Sequence, residues 1–370
     1  MGDYRVLHVV DRLSPSSGVA SVVMQLIQNN NLQQDIVVYG DCDVGMEREI
    51  NNRGCKIYRL PDVRILLGKK YGDEFKKLIH NQKYDIVHGH LLNSAFIYLR
   101  EAKRAKIPCR IIHAHSAQLA DTLIKRNRNK LLSLGLSLWA NNYIATSSEA
   151  SQSIFGKRKK SLTIVPCGID VNQFKYNHEE RIAARHELGI DDDVLCVGNV
   201  ARFNRLKNHD FLLRVFKEIL KKVNARLLLI GDGELEKTIR DKVCSEGLSN
   251  YINFLGAQKN IGKFYHAFDV FIMPSLSEGF GLAAVEAQCS GLSCILSEHI
   301  PQTVACTTQA TFLPIGDANL WANTALSIQV VNRQKSYLNI ENAKLDAQTM
   351  RDKIVHVYKS ALSTQKNGGV

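Results

Sequence analysis

A chain of 370 residues is too long for one ordinary α/β core and suits two, since domains cluster near roughly 100 to 200 residues. At 45% hydrophobic and 23% charged residues it is neither disordered nor membrane-embedded, because no run approaches the roughly 20 apolar residues of a spanning helix. The net charge is +12, and residues 1–175 hold 26 Lys and Arg against 15 Asp and Glu, so nearly all the excess lies in the first half.

From the start, MGDYRVLHVVDRL lacks the basic flank and small-residue cleavage site of a secretory signal. The nine cysteines, an odd number with no CxxC pair, read as small hydrophobes of a reduced compartment, so the expected location is cytoplasmic. Short apolar runs then alternate with segments of helical period, the mark of parallel sheets with crossover helices. Strands are predicted at 5–10, 36–39, 56–59, 86–88, 110–113, 143–146 and 162–165, with helices between them, such as 20–28 and 74–80. The polar stretch 175–193 reads as a connection plus one helix, after which strands restart at 194–199, 226–230, 251–255, 270–273, 293–296 and 311–313. Beyond Asp317 the pattern is helical, and a last helix at about 347–364 is expected to return to the first domain. The predicted organisation is a first domain over 1–175 and a second over 176–346. Open doubly wound sheets bind ligands at the carboxyl ends of their strands, so two such sheets facing across a cleft suit a reaction between two bound substrates.

Three constellations follow strands. After DVFIMP comes Ser277-Glu278-Gly279-Phe280-Gly281-Leu282 and a helix through Glu286. Gly279 and Gly281 allow close backbone approach and free amides at a helix start, and Glu278 with Glu286 makes a carboxylate pair suited to sugar and ribose hydroxyls. After VLCVGNV come Arg202 and Lys207, flanking a short loop before a helix at 208–221, a clamp for a diphosphate or else two solvated surface cations. In the first half, His113 and His115 end a strand, each open to a core or a functional role, and Gly18 starts a helix after the Ser14-Pro15-Ser16-Ser17 loop. The basic clusters 103–106, 125–130 and 157–160 suit a solvated face, an anionic membrane surface or a phosphate-bearing acceptor. They lack the aromatic interleaving of a nucleic-acid surface.

These motifs resemble the retaining glycosyltransferases of the two-Rossmann (GT-B) class, family 4, of the bacterial capsule and exopolysaccharide type. The likeness runs through Gly18, His115, Val165-Pro166-Cys167-Gly168-Ile169-Asp170, Arg202 with Lys207, Gly231-Asp232-Gly233-Glu234 and the glutamates embedded in EGFGLAAVEA. The resemblance implies an α/β fold of two Rossmann-like domains and a nucleotide-diphosphate sugar donor, a UDP-sugar above all. It places Arg202 and Lys207 on the diphosphate, Glu286 on the ribose, Glu278 at the transferred sugar, and the amides of Phe280, Gly281 and Leu282 on its hydroxyls or phosphate. Gly18 would approach phosphate from the first domain, and His115 would stand near the anomeric centre on the acceptor side. It further implies a glycan or lipid-linked acceptor, no metal, no cofactor beyond the nucleotide sugar, and front-face attack assisted by the leaving phosphate. Ser17-Gly18 replaces two glycines common in the family, and Ser293 replaces a usual proline.

Rival readings rest on other residues. Gly279-Phe280-Gly281-Leu282-Ala283-Ala284, with Glu298 nineteen positions after the first glycine, fits the fingerprint of an NAD-dependent oxidoreductase. Asp41-Cys42-Asp43 imitates a metal-binding DxD and is read as a solvated turn. The pairs His88/His90 and His113/His115 imitate zinc ligands, but no carboxylate or cysteine at ligand spacing accompanies them. A non-catalytic sugar-binding protein of the same fold is the remaining alternative.

Overall fold

The computed structural model describes residues 4–28, 32–63, 69–116, 136–156, 161–328 and 332–367. The basic clusters 125–130 and 157–160 lie outside the described residues. Contacts divide the chain into two compact units, residues 1–168 with 347–370, and residues 169–346.

The first unit is built on a seven-stranded sheet of β1 (Arg5–Val10), β2 (Gln33–Val38), β3 (Ile57–Arg59), β4 (Ile86–Gly89), β5 (Cys109–Ala114), β6 (Asn142–Ala145) and β7 (Leu162–Ile164). Its strands are parallel, in the order β3-β2-β1-β4-β5-β6-β7. Alternation along each strand sorts side chains onto two faces. Leu7, Val9, Val37, Val87 and Ile112 pack with Tyr71, Phe75 and Tyr98 of the helices Lys69–Asn81 and Ala95–Arg104. Val10, Ile36 and Val38 pack with Ala20, Val23 and Ile27 on the other side. Each such side chain taken out of water contributes about 1.5 to 3 kcal/mol, which is why uninterrupted apolar runs end up as central strands. The helix Ala347–Asn367 belongs to this unit, burying Met350, Ile354 and Tyr358.

The second unit holds a six-stranded sheet of β8 (Leu195–Val200), β9 (Ala225–Ile230), β10 (Ile252–Gly256), β11 (Val270–Met273), β12 (Ser293–Ser297) and β13 (Ala310–Leu313). It is also parallel, in the order β10-β9-β8-β11-β12-β13. Val197, Leu227, Leu229, Val270 and Ile272 form its core with Phe211, Val215 and Phe216 of the helix His209–Leu220 and with Trp321. The strand order reverses between β8 and β11, so the loops after those two strands diverge and leave a crevice at their carboxyl ends.

The helix His178–Glu187, expected within the connector, is bound into this unit by charge. Arg181 and Arg185 reach Asp269 at 2.6 and 3.1 Å. With Arg333 they also donate to the carbonyls of residues 265–268, the last turn of the helix Gly262–Ala267. Guanidinium groups there satisfy acceptors that a helix end otherwise leaves open. A cavity of about 570 Å³ beside them is lined by Arg181, Asp192, Asn224, Asp269 and Arg333, at the amino ends of the strands and away from the crevice.

Sequence and structure agree on the strands, with bounds shifted by a few residues. The largest shift is at β2, which begins at Gln33 instead of Ile36. Gln34 and Asp35 are polar yet buried, because Gln34 pairs with His8, and Asp35 with Arg5 and Tyr84.

Candidate active site

The two loops at the reversal point carry the predicted donor residues. After β8, Phe203 is buried and stacks on His209 with ring centres 4.3 Å apart, anchoring the loop between Arg202 and Lys207. Asn204 caps the short 3₁₀ turn Arg205–Lys207 by accepting from the Lys207 amide at 3.2 Å. Asn208 takes the left-handed conformation at φ 55°, one that asparagine tolerates better than most residues, and so turns the chain into the helix His209–Leu220.

Gly231-Asp232-Gly233, following β9, supports this loop from beneath. The Phe203 amide donates to the Asp232 carbonyl at 2.7 Å. A Cβ on Gly231 would sit 2.1 Å from the Ala201 carbonyl oxygen and one on Gly233 2.5 Å from that of Phe203, with φ at 140° and 149°. Glycine is required at both positions. Glu234 then accepts from the Arg202 guanidinium at 3.2 Å, while Arg202 Nε is buried without a partner among the described residues.

The loop after β11 meets the same turn. The Leu276 amide donates to the Leu206 carbonyl at 2.7 Å, and Lys207 Nζ lies 2.6 Å from Glu278 Oε1, with side chains only 20% and 10% exposed. The structure thus brings two predicted residues, one proposed for phosphate and one for sugar, into direct contact. Phe280 is buried, and Gly281, at φ 106°, is the left-handed start of the helix Leu282–Cys289. Glu286, on the second turn, is buried and accepts from the Tyr265 hydroxyl at 2.7 Å. Burial pushes its carboxyl up to about 7, and the Tyr265 hydrogen bond pulls partly the other way. Glu286 is therefore shared between neutral and ionised forms near neutral pH, and it can bond hydroxyl groups in either.

In the first unit, Gly18 opens the helix Gly18–Leu26, capped by Ser17. His115 follows β5, half-buried, with its imidazole held at about 3 by burial. His113 is fully buried, in keeping with the core role open to it. The histidine pairs seen in the sequence do converge, and they are joined by His8, which sequence reading passed over. Ring nitrogens of His8, His88 and His90, and of His90, His113 and His115, gather within 4.8 Å of one another. Facing nitrogens in both groups are already hydrogen-bonded to each other at 2.8 to 3.1 Å. Asp43 of the DxD imitation caps the helix Val44–Asn52, accepting from the amides of Gly45 and Met46.

Residues 16–173 match the family Glycosyltransferase Family 4, and residues 180–318 match Glycosyl transferases group 1. Over 98% of both chains, the sequence is 30% identical to EpsF of Bacillus subtilis (strain 168), whose glycosyltransferase name is itself provisional. The chain belongs to the group 1 glycosyltransferases. An Escherichia coli relative of this glycosyltransferase, 27% identical over 60% of this chain and 59% of its own, is named UDP-Gal:alpha-D-GlcNAc-diphosphoundecaprenol alpha-1,3-galactosyltransferase. In fold, the glycosyltransferase is similar to HepE of Anabaena, solved in complex with UDP-glucose, with a TM-score of 0.80 at 16% identity over 96% of this chain and 99% of that one. The GT-B class is thereby established, and the dinucleotide-fingerprint reading of Gly279 to Ala284 gives way to it.

Three relations within this site were not foreseen, although most of their residues were named. The Gly231-Asp232-Gly233-Glu234 motif is the seat of the Arg202 loop, Tyr265 is the partner of Glu286, and Lys207 rests on Glu278. Only the first had a visible signal, two glycines one residue apart after a strand.

Proposed function

We propose that this glycosyltransferase uses a UDP-sugar and passes a hexosyl group, with retention of anomeric configuration and without a metal, to a hydroxyl of a glycan or lipid-linked acceptor in cell-surface polysaccharide assembly. The contact between Lys207 and Glu278 at the reversal of the second sheet carries this reading. In it, the pyrophosphate takes over Lys207 and draws on Arg202, neutralising the charge that develops as the C1–O bond to phosphate breaks. Glu278, released from the ammonium, is free to bond hydroxyls of the transferred sugar. The acceptor oxygen bonds to C1 on the face the phosphate leaves, and the acceptor proton passes to a phosphate oxygen. Glu286 holds the ribose, the amides of residues 280–282 and Gly18 approach the donor, and His115 serves on the acceptor side.

The donor assignment draws on the UDP-Gal in the name of the Escherichia coli relative and on the UDP-glucose held by HepE, and the lipid-linked acceptor on the diphosphoundecaprenol of the former. The excess positive charge of residues 1–175 supports peripheral attachment to an anionic membrane at the cytoplasmic face, and no described helix is long and apolar enough to cross one. A panel of nucleotide sugars, scored for thermal stabilisation and for hydrolysis in EDTA, tests the donor and the metal independence. Stabilisation by none of them would favour the non-catalytic sugar-binding alternative. An inverted product would remove the front-face route. Sedimentation with phosphatidylglycerol vesicles tests the membrane clause, and unchanged binding after neutralising Lys157, Arg158, Lys159 and Lys160 would make that cluster a solvated face.

A further inference from the structure

Five histidines of the first unit occupy alternate positions of neighbouring strands, and so one face of the sheet. His8 lies on β1, His88 on β4 with His90 just beyond it, and His113 on β5 with His115 just beyond. One row of hydrogen bonds runs across them in strand order. Gln34 Nε2 donates to the Leu26 carbonyl at 3.0 Å, and Gln34 Oε1 meets His8 Nε2 at 3.0 Å. His8 Nδ1 meets His90 Nε2 at 3.1 Å, and His90 Nδ1 meets His115 Nε2 at 2.8 Å.

The direction of this row follows from its anchor. A main-chain carbonyl only accepts, so the Gln34 amide group faces Leu26 and its oxygen faces His8. His8 must then carry its proton on Nε2. Burial holds His8, His90 and His115 below the ordinary imidazole value of 6.5, so each ring is neutral and has one N–H. With its proton spent on Gln34, His8 accepts at Nδ1, and His90 has to donate from Nε2. His90 accepts in turn at Nδ1, and His115 has to donate from Nε2. That leaves a lone pair at His115 Nδ1, which has no partner among the described residues.

We propose that Gln34, His8 and His90 are positioning residues that lock His115 as its Nε2–H tautomer, so that Nδ1 accepts a hydrogen bond from a substrate hydroxyl and never donates one. A proton cannot rest there at neutral pH, since the imidazole is held at about 3, so the ring recognises a hydroxyl without deprotonating it. A carboxylate or phosphate oxygen offered to the same nitrogen would meet lone pair against lone pair, so this position selects a neutral hydroxyl-bearing sugar over an anionic one. The substrate contact rests on the placing of His115 at the acceptor side in the proposed function. The tautomer does not.

The test is ¹⁵N NMR of the full chain labelled at histidine, read for the protonated nitrogen and for couplings across the N–H···N bonds. The expected result is a proton on Nε2 of His8, His90 and His115, with coupling from His115 Nε2 to His90 Nδ1 and from His90 Nε2 to His8 Nδ1. Gln34→Leu, which removes the anchoring acceptor, should populate Nδ1–H on His115 and lower turnover about tenfold, the weight of one misdirected hydrogen bond, with donor KM unchanged. Gln34→Glu, whose carboxyl in its protonated form donates to the Leu26 carbonyl and again accepts from His8, should restore both the pattern and the rate. A proton on Nδ1 of His115 in the wild type, an imidazolium at neutral pH, or metal-type shifts abolished by EDTA would overturn the proposal. An unchanged spectrum in folded Gln34→Leu would overturn the part given to Gln34, and if that variant does not fold, the wild-type spectrum decides alone. Full activity in His115→Ala would remove the substrate contact while leaving the tautomer result standing, so the two failures are distinguishable.

Discussion

Replacing Glu286 by glutamine should make the second unit more stable in alkali and change it little in acid. The folded protein holds this carboxyl at about 7 against an ordinary 4.5, because burial penalises the anion more than the Tyr265 hydroxyl favours it. Between those two values the folded state binds more protons than the unfolded one, so stability falls as pH rises through the window. At about 1.4 kcal/mol per tenfold change in proton affinity, the wild type loses roughly 2 to 3 kcal/mol between pH 5 and pH 8 from this group alone. Glutamine cannot ionise and removes that loss, and any fixed cost of its amide in the pocket is equal at both pH values. The measurement is urea unfolding followed by Trp321, which is fully buried in the second unit, with the other tryptophan, Trp139, changed to phenylalanine. The gap between Glu286→Gln and its parent should widen by roughly 2 to 3 kcal/mol from pH 5 to pH 8. A constant gap would mean that Glu286 is fully ionised or solvated, and the account of a buried, half-protonated carboxylate would be wrong.

Tyr265→Phe removes the hydrogen bond that favours the Glu286 anion, so the carboxyl should rise further. Calorimetry of UDP from pH 6 to 9 should then show the affinity profile moved upward by about one pH unit, and a downward move would refute the pairing. Lys207→Ala should lower kcat roughly a hundredfold by removing the cation proposed for the leaving phosphate, and an unaffected kcat would remove Lys207 from that role. Gly231→Ala forces a Cβ to within 2.1 Å of the Ala201 carbonyl oxygen at φ 140°, and should destabilise the second unit by about 1 to 3 kcal/mol or more while weakening UDP binding through the displaced Arg202 loop. Wild-type stability in that variant would show that the loop can yield.

The strands were legible because their burial is continuous and their composition says so without reference to any partner. VLHVV, VFIM and LLLI admit little else. Position 34 shows where that reading stops, since a glutamine looks like loop until a histidine on the next strand is known to face it. His8 was missed for the same reason, as its meaning depends on His90, 82 positions away. In the second unit, Arg202, Lys207, Glu278 and Glu286 were marked by their places after strands, which topology makes informative. Their partners were hidden, because Glu234 and Tyr265 reach them from other elements, 32 and 21 positions away. Spacing along a chain reports which residues share an element, and says nothing of which side chains meet between elements.

The guanidinium groups of Arg181, Arg185 and Arg333 grip the end of the short helix whose Tyr265 hydroxyl fastens Glu286. The carboxylate proposed to hold the ribose is thereby tied, through one turn of helix, to the opposite rim of the sheet. Attempts to broaden donor choice by mutating that rim would be retuning the carboxylate from behind, and the three arginines mark ground to leave untouched when the front of the pocket is redesigned.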